Sequence, residues 1–307
     1  MTAGYAGSRS HHILVDGSNL NVASPTACGV VPGYTLGCGI PTAPYGFLTI
    51  SATADAGNAR YDSLQFKAET KNARHGLYAL VSYTYARNFD SGFNDGLGTS
   101  AGVTYWPLPG NARADWALSQ IQLNHNFTTS ILYDLPFGRG KRFGGNWSGV
   151  ANTIAGNWQV NVIEKITSGF PVFLINSSSA SGVNLTNNGN NFNRPDQICS
   201  AGGGGSLDKW FNTQCFAPAA IGELGNANRA PLYGPDFVNT DLSLIKHFPL
   251  PREGMSLDFR AEFFNLFNHA QFGLPGNDIA SGPTQFGVIT STVNNPRLIQ
   301  FALKLQF

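Results

Sequence analysis

Eight stretches of this chain alternate apolar and polar residues with a period of two, the spacing of a β-strand that has one apolar and one polar face. The clearest is at the end. In Leu298 to Phe307, Ile299, Phe301, Leu303, Leu305 and Phe307 share one parity, and Gln300, Ala302, Lys304 and Gln306 share the other. Ser256 to Phe267 sets Leu257, Phe259, Ala261 and Phe263 against Asp258, Arg260 and Glu262. Tyr61 to Lys71 sets Leu64, Phe66 and Ala68 against Gln65, Lys67 and Glu69, and Gly76 to Arg87 aligns Leu77, Val81, Tyr83 and Tyr85. Gln120 to Asp134 aligns Ile121, Leu123, Phe127, Ile131 and Tyr133. Asn157 to Ser168 aligns Trp158, Val160, Val162 and Ile166, with Glu164 breaking the row. Asn239 to Phe248 aligns Thr240, Leu242 and Leu244 against Asp241 and Ser243, and Gly4 to Val15 carries a weaker pattern.

The connections alternate in length. Short turns fall at Asn72 to His75 and Pro249 to Gly254, with a moderate link from Leu135 to Gly156. Long connections begin at Asp16, Asn88 and Asn176, and another runs from Asn268 to Asn295. Loops of that length are uncommon inside a compact soluble domain. Short turns at one end and long loops at the other are the habit of transmembrane β-barrels, whose long loops face outside. An even strand count returns the chain to the short-turn side. A strand ending on an aromatic carboxy-terminal residue, here Phe307, is the usual final strand of such a barrel and the signal read by its assembly machinery. The expected fold is therefore all-β: an antiparallel transmembrane β-barrel, present as a partial wall of eight strands with long extracellular loops.

Composition points the same way. Only 12% of residues are charged and 12% are aromatic, with 36 Gly and 17 Pro. No run approaches the roughly 18 apolar residues of a membrane helix. The net charge of +1 argues against a nucleic-acid surface and gives no polybasic anchor. The four cysteines form two local pairs, Cys28/Cys38 and Cys199/Cys215, both in Gly/Pro/Asn-rich loops. Zinc is the alternative, but neither pair has a C-x-x-C or a histidine at ligand spacing. Two loop disulfides formed in an oxidising compartment are the better reading. No basic stretch followed by an apolar core opens the chain, so no signal peptide is seen; an exported chain of this kind is expected to be a fragment that continues upstream of Met1.

Several segments resemble a known family. The strand–turn–strand YDSLQFKAETKNARHGLYALVSYTYARNFD, the segment SILYDLPFGRGKRFGG, the block ITSGFPV, and NTDLSLIKHFPL…MSLDFRAEFFNLFNHAQFG with its terminal LKLQF resemble the barrel of TonB-dependent outer-membrane receptors, the Oar-like branch above all. The resemblance covers most of residues 1–307 and implies the carboxy-terminal part of a barrel of about 22 strands. It implies import of a bulky nutrient across the outer membrane. Plug, amino-terminal coupling box and the remaining strands have no counterpart in this sequence, so the TonB-type coupling protein would act only through those parts. A stand-alone outer-membrane barrel for adhesion or surface structure is the alternative, and a secreted β-sandwich lectin a weaker one.

No residue pattern points to an enzyme or a cofactor. Pro136 to Gly145 has the glycines and lysine of a phosphate loop, but Gly138, Gly140 and Lys141 are wrongly spaced and Arg142 follows; a basic turn between strands is the simpler account. Gly202 to Gly205 reads as a flexible loop. His11 and His12 are adjacent and point to opposite faces of a strand, while His75, His125, His247 and His269 lie far apart. No G-x-S-x-G elbow occurs. Asp258, Arg260, Glu262 and Lys304, with Lys67, Glu69 and Lys71, share the polar parity and are expected to face the lumen, since Lys or Arg at a lipid midplane costs roughly 2–4 kcal/mol. Trp147, Trp158, Tyr85 and Tyr133 suit interfacial girdles; Trp106 and Trp210 are loop aromatics that pack or contact a ligand.

Overall fold

The computed structural model describes residues 1–19, 51–72, 76–91, 116–178, 193–220, 225–250 and 255–307. Cys28, Cys38, His75 and Trp106 lie outside them. Each of the eight patterned segments forms a strand: β1 (Thr2–Asn19), β2 (Ser51–Asn72), β3 (Leu77–Asp90), β4 (His125–Asp134), β5 (Trp158–Thr167), β6 (Phe237–Pro249), β7 (Ser256–Phe264) and β8 (Leu298–Gln306). Every strand pairs antiparallel with its sequence neighbour, so the order in the sheet is the order in the chain. A single short helix, α1 (Gly149–Ala155), lies between β4 and β5.

The registers carry the apolar parity across the whole sheet. One row runs Phe301, Ala261, Leu244, Val160, Tyr133 and Leu77; the next runs Ile299, Phe263, Leu242, Val162, Ile131 and Ala79. A one-residue slip between any two strands would turn a strand's apolar residues to the other face, so the shared parity fixes the register. The face is left uncovered: Phe301 is 66% and Leu303 70% exposed. Such a continuous exposed apolar face is a surface for lipid or for another protein layer.

β1 and β8 are the two edges, and no pairing joins them among the described residues. The closed eight-stranded barrel, the second architecture compatible with the strand count, is thus not formed; the sheet is an open wall. Its short-connection end is tight. Gly76 closes the β2–β3 hairpin at φ +65°, its carbonyl accepts from Asp134 N at 2.8 Å, and an added Cβ would come within 2.6 Å of the Asp134 side chain.

Several strand boundaries and one register differ from the sequence pattern. β1 and β2 extend to Asn19 and back to Ser51, past the bounds of their alternating segments. The β1–β2 register shifts between Ser10 and Ile13, where His12 takes φ +56°, so strict alternation of His11 and His12 does not hold. β4 starts at His125 rather than Gln120, because Gln122 turns inward: its Oε1 accepts from Asn88 N at 2.5 Å and its Nε2 donates to Ala86 O at 2.6 Å, finishing the β3 backbone. β7 ends at Phe264 because Asn265 adopts φ +53° and donates through Nδ2 to His269 O at 3.1 Å.

The hydrophobic core lies in the long connections, not against the sheet. Val172, Leu174, Phe211, Phe216, Leu232 and Phe286 bury one another, Leu174 completely. Phe211, Phe216 and Phe286 meet edge to face with centroids 5.2 to 6.1 Å apart, the geometry favoured by the ring quadrupoles. Two small ladders tie this cap together, Pro171–Val172 with Leu232–Tyr233 and Asp196–Gln197 with Phe216–Ala217. Cys199 and Cys215 are joined by a disulfide, and Cys215 is fully buried in the cap core.

Candidate functional site

The polar parity forms the second face of the wall. Asp258 lies opposite Lys304 and His247 in the two registers, Arg260 opposite Ala302 and Ile245, and Glu262 opposite Gln300 and Ser243. Asp258 is buried; it accepts from His247 Nδ1 at 2.7 Å and from Gln306 Nε2 at 3.1 Å. Since a carboxylate only accepts, His247 donates through Nδ1–H. Arg260 Nε is buried with no hydrogen-bond partner among the described residues. Near the short-connection end of β2, Glu69 pairs with Lys71 at 3.0 Å and with Lys67 at 3.5 Å. The Asp258 contacts run across strands and the Glu69 pairs within β2, and neither cleft described below is lined by Asp258, Arg260, Glu262 or Lys304.

In β5 and β6 two charged residues interrupt the apolar face. Glu164 is bonded to the Thr240 hydroxyl on the neighbouring strand. Lys246 stands between Phe259 and Trp158 in the registers, and the sequence pattern did not single it out. Its ammonium donates to Gly156 O and lies 5.6 Å from the Trp158 ring and 5.3 Å from the Phe248 ring. A carbonyl and two π-faces thus replace water around the charge.

Concave surface occurs where the cap meets the long-connection end of the wall. One cleft of about 440 Å³ is lined by Arg87, Phe89, Trp116, Gln197, Asn228 and Pro231 among others. A second, of about 480 Å³, is bordered by Gly202 to Gly204, Trp210, Tyr233, Asp236, Gln197 and Pro231. The two share Gln197 and Pro231 and so flank one ridge. In the first, Trp116 stacks on Phe89 with centroids 6.1 Å apart and rings 11° from parallel, while remaining partly exposed. In the second, Trp210 is held by Nε1 donating to Tyr233 O at 2.8 Å. Stacked aromatics beside amide side chains bind flat or polar-rimmed ligands without needing a charge. Among the described residues no group of three His, Cys, Asp or Glu is placed to hold a metal ion.

The cap is anchored by a contact that no residue pattern announces. Arg229 donates to the Asp90 carboxylate, to Asp90 O at 3.0 Å and to Leu118 O at 3.3 Å, with its guanidinium 4.9 Å from the Phe173 ring. Both side chains of the pair are almost wholly buried. Their separation of 139 residues leaves no pattern to read. The His247–Asp258 contact, by contrast, follows from strand register across the β6–β7 turn, once that hairpin is drawn.

The sequence model of a family described as an outer membrane beta barrel domain matches residues 1–300 of the chain. No curated protein and no solved structure matches it.

Proposed function

The chain belongs to the outer membrane beta barrel domain family and resides in the outer membrane, and from that premise we propose that it forms wall and ligand-capturing loops of a TonB-dependent receptor that imports a bulky nutrient. The long connections face outside and the short ones the periplasm, as in such barrels generally. One observation carries the reading: the external loops are built into a cap with its own packed core. It has a core and a disulfide of its own, a buried ion pair ties it to β3, and it holds two adjoining clefts at the rim of the wall. A passive wall needs no such structure, whereas capture of a ligand in a preformed site requires one.

Other partners follow from the same reading. The β1 and β8 edges carry unpaired backbone donors and acceptors, which are costly in hydrocarbon, so further strands of the receptor pair with them. The lumen face, where Arg260 Nε is buried without a partner among the described residues, meets the plug. The coupling protein engages an amino-terminal part, and the terminal strand ending in Phe307 is handed to the barrel-assembly machinery. No nucleic acid and no cofactor enter this account, and no catalytic step.

The test is growth of the native bacterium on single scarce nutrients, with the gene intact, carrying Trp116→Ala and Trp210→Ala, or with the coupling-protein gene deleted. The proposal expects one nutrient whose uptake falls in all three altered strains. Unchanged growth on every nutrient together with lost surface attachment would favour an adhesion barrel instead.

A further inference from the structure

The link between β4 and β5 is built in a way that neither the wall nor the cap requires. Its first part, Pro136 to Gly145, is a closed turn: Phe143 N donates to Pro136 O at 2.9 Å, Gly138 N to Phe143 O at 2.9 Å, and Gly140 N to Gly145 O at 3.1 Å. Arg139, Lys141 and Arg142 crowd its exposed tip, and none pairs with a carboxylate among the described residues. Its second part is α1, which turns Asn152 and the following Gly156 toward the turn. Asn152 Oδ1 accepts from Arg139 N at 2.7 Å, and Gly138 and Gly156 pack backbone to backbone.

Residues two positions away from Asn152 on a helix point the opposite way. Val150 and Ile154 therefore face outward together and are 73% and 66% exposed. Phe137 and Phe143 pair at 5.7 Å beside the basic tip and are also exposed. Ile154 O accepts from Trp158 Nε1 at 2.8 Å, and Gly156 O accepts from Lys246 Nζ. Trp158 and Lys246 both belong to the apolar face of the wall. The exposed side of α1 thus continues the lipid-facing belt at its periplasmic edge.

We propose that this link is an interfacial anchor: Val150 and Ile154 enter the periplasmic leaflet, and Arg139, Lys141 and Arg142 bind the phosphates of anionic phospholipids. Two observations choose this occupant over a protein partner. The surface is continuous with a face that already meets lipid, and apolar groups flanked by cations without a carboxylate partner among the described residues, Arg142 lying 5.4 Å from the Phe143 ring, suit a leaflet containing phosphatidylglycerol. The Lys246 ammonium, screened by carbonyl and rings, lies at the same edge, where a cation on the lipid face costs least.

The test uses the protein extracted from outer membranes with all its natural flanking parts and placed in nanodiscs of phosphatidylethanolamine with or without phosphatidylglycerol. Bimane attached to Val150→Cys or Ile154→Cys should be quenched by phospholipids brominated near the head group and protected from aqueous iodide. Native mass spectrometry should show preferential retention of phosphatidylglycerol, falling about fivefold for each charge removed in R139Q, K141Q and R142Q. Lys67→Gln with Lys71→Gln removes charge from the lumen face of β2 and should leave retention unchanged. Iodide quenching without lipid quenching would overturn the proposal and mark the link as a surface for a periplasmic protein. Equal loss of phosphatidylglycerol in the lumen-face variant would overturn it too.

Discussion

Replacing Arg229 by methionine tests what holds the cap to the wall. Arg229 and Asp90 are 2% and 4% exposed, so water does not reach the pair. The substitution keeps most of the side-chain volume and the stacking area over Phe173, but removes the charge that faces the Asp90 carboxylate. Removing one partner of a buried ion pair costs about 3–5 kcal/mol, because the remaining charge stays in low dielectric. The loss falls on the docking of the cap, since the wall strands on either side keep their ladders. If proteolysis samples the opened cap at equilibrium, about 3 kcal/mol corresponds to a more than hundredfold faster cleavage within residues 193–236. Limited proteolysis of detergent-solubilised protein, followed by mass spectrometry of the fragments, gives the rate. The double variant D90N/R229M should regain at least half of the protection, since it leaves no charge buried. Cleavage of R229M within threefold of the parent would refute the reasoning, as would a double variant that is worse than R229M alone.

Other consequences can be checked beside it. Cys199→Ser with Cys215→Ser frees a loop spanning 16 residues and should destabilise the cap by about 3 kcal/mol, read as faster cap proteolysis that added reductant no longer increases. Leu242→Arg puts a cation in the middle of the apolar face and should cost about 2–4 kcal/mol in urea titrations of the protein in lipid vesicles, whereas Ser243→Arg on the lumen face should cost under 1 kcal/mol. Lys246→Met should leave stability within about 1 kcal/mol of the parent, because the ammonium and its carbonyl partner are replaced by a well-packed apolar chain; a large loss would mean that the Gly156 contact organises the β4–β5 link.

The wall was legible because a strand needs only alternation, and eight segments supply it. Ser256 to Phe267 shows both the strength and the limit of that signal. Leu257, Phe259, Ala261 and Phe263 do share a face, but Phe267 does not extend the strand, since Asn265 in a left-handed conformation ends it. Gln120 to Asn124 fails the same way: Ile121 and Leu123 continue the parity, yet Gln122 is drawn inward by β3 backbone groups. The cap was not legible. Phe211, Phe216 and Phe286 come together from connections with no periodicity, and Arg229 finds Asp90 across 139 residues. Glu164 breaks its row in the sequence and Lys246 was not singled out there, and the partners of both were unreadable for a different reason. Their parity is plain, but a charge on the apolar parity is compatible with lipid only through neighbours such as Gly156 O and Thr240, which pairing alone reveals.

The odd-numbered residues of β7 and β8 face lipid and the even-numbered ones water. Single cysteines at Phe259, Arg260, Ala261, Glu262 and Phe263, and at Phe301 to Leu305, would carry a spin label in the protein reconstituted in bilayers. Oxygen, which concentrates in lipid, and a water-soluble nickel chelate would serve as relaxers. The account predicts a period-two alternation, with high oxygen contact at positions 259, 261, 263, 301, 303 and 305, and high nickel contact at 260, 262, 302 and 304. Equal nickel contact at odd and even positions would contradict it, because a sheet that is wet on both faces is not the wall of an outer-membrane barrel.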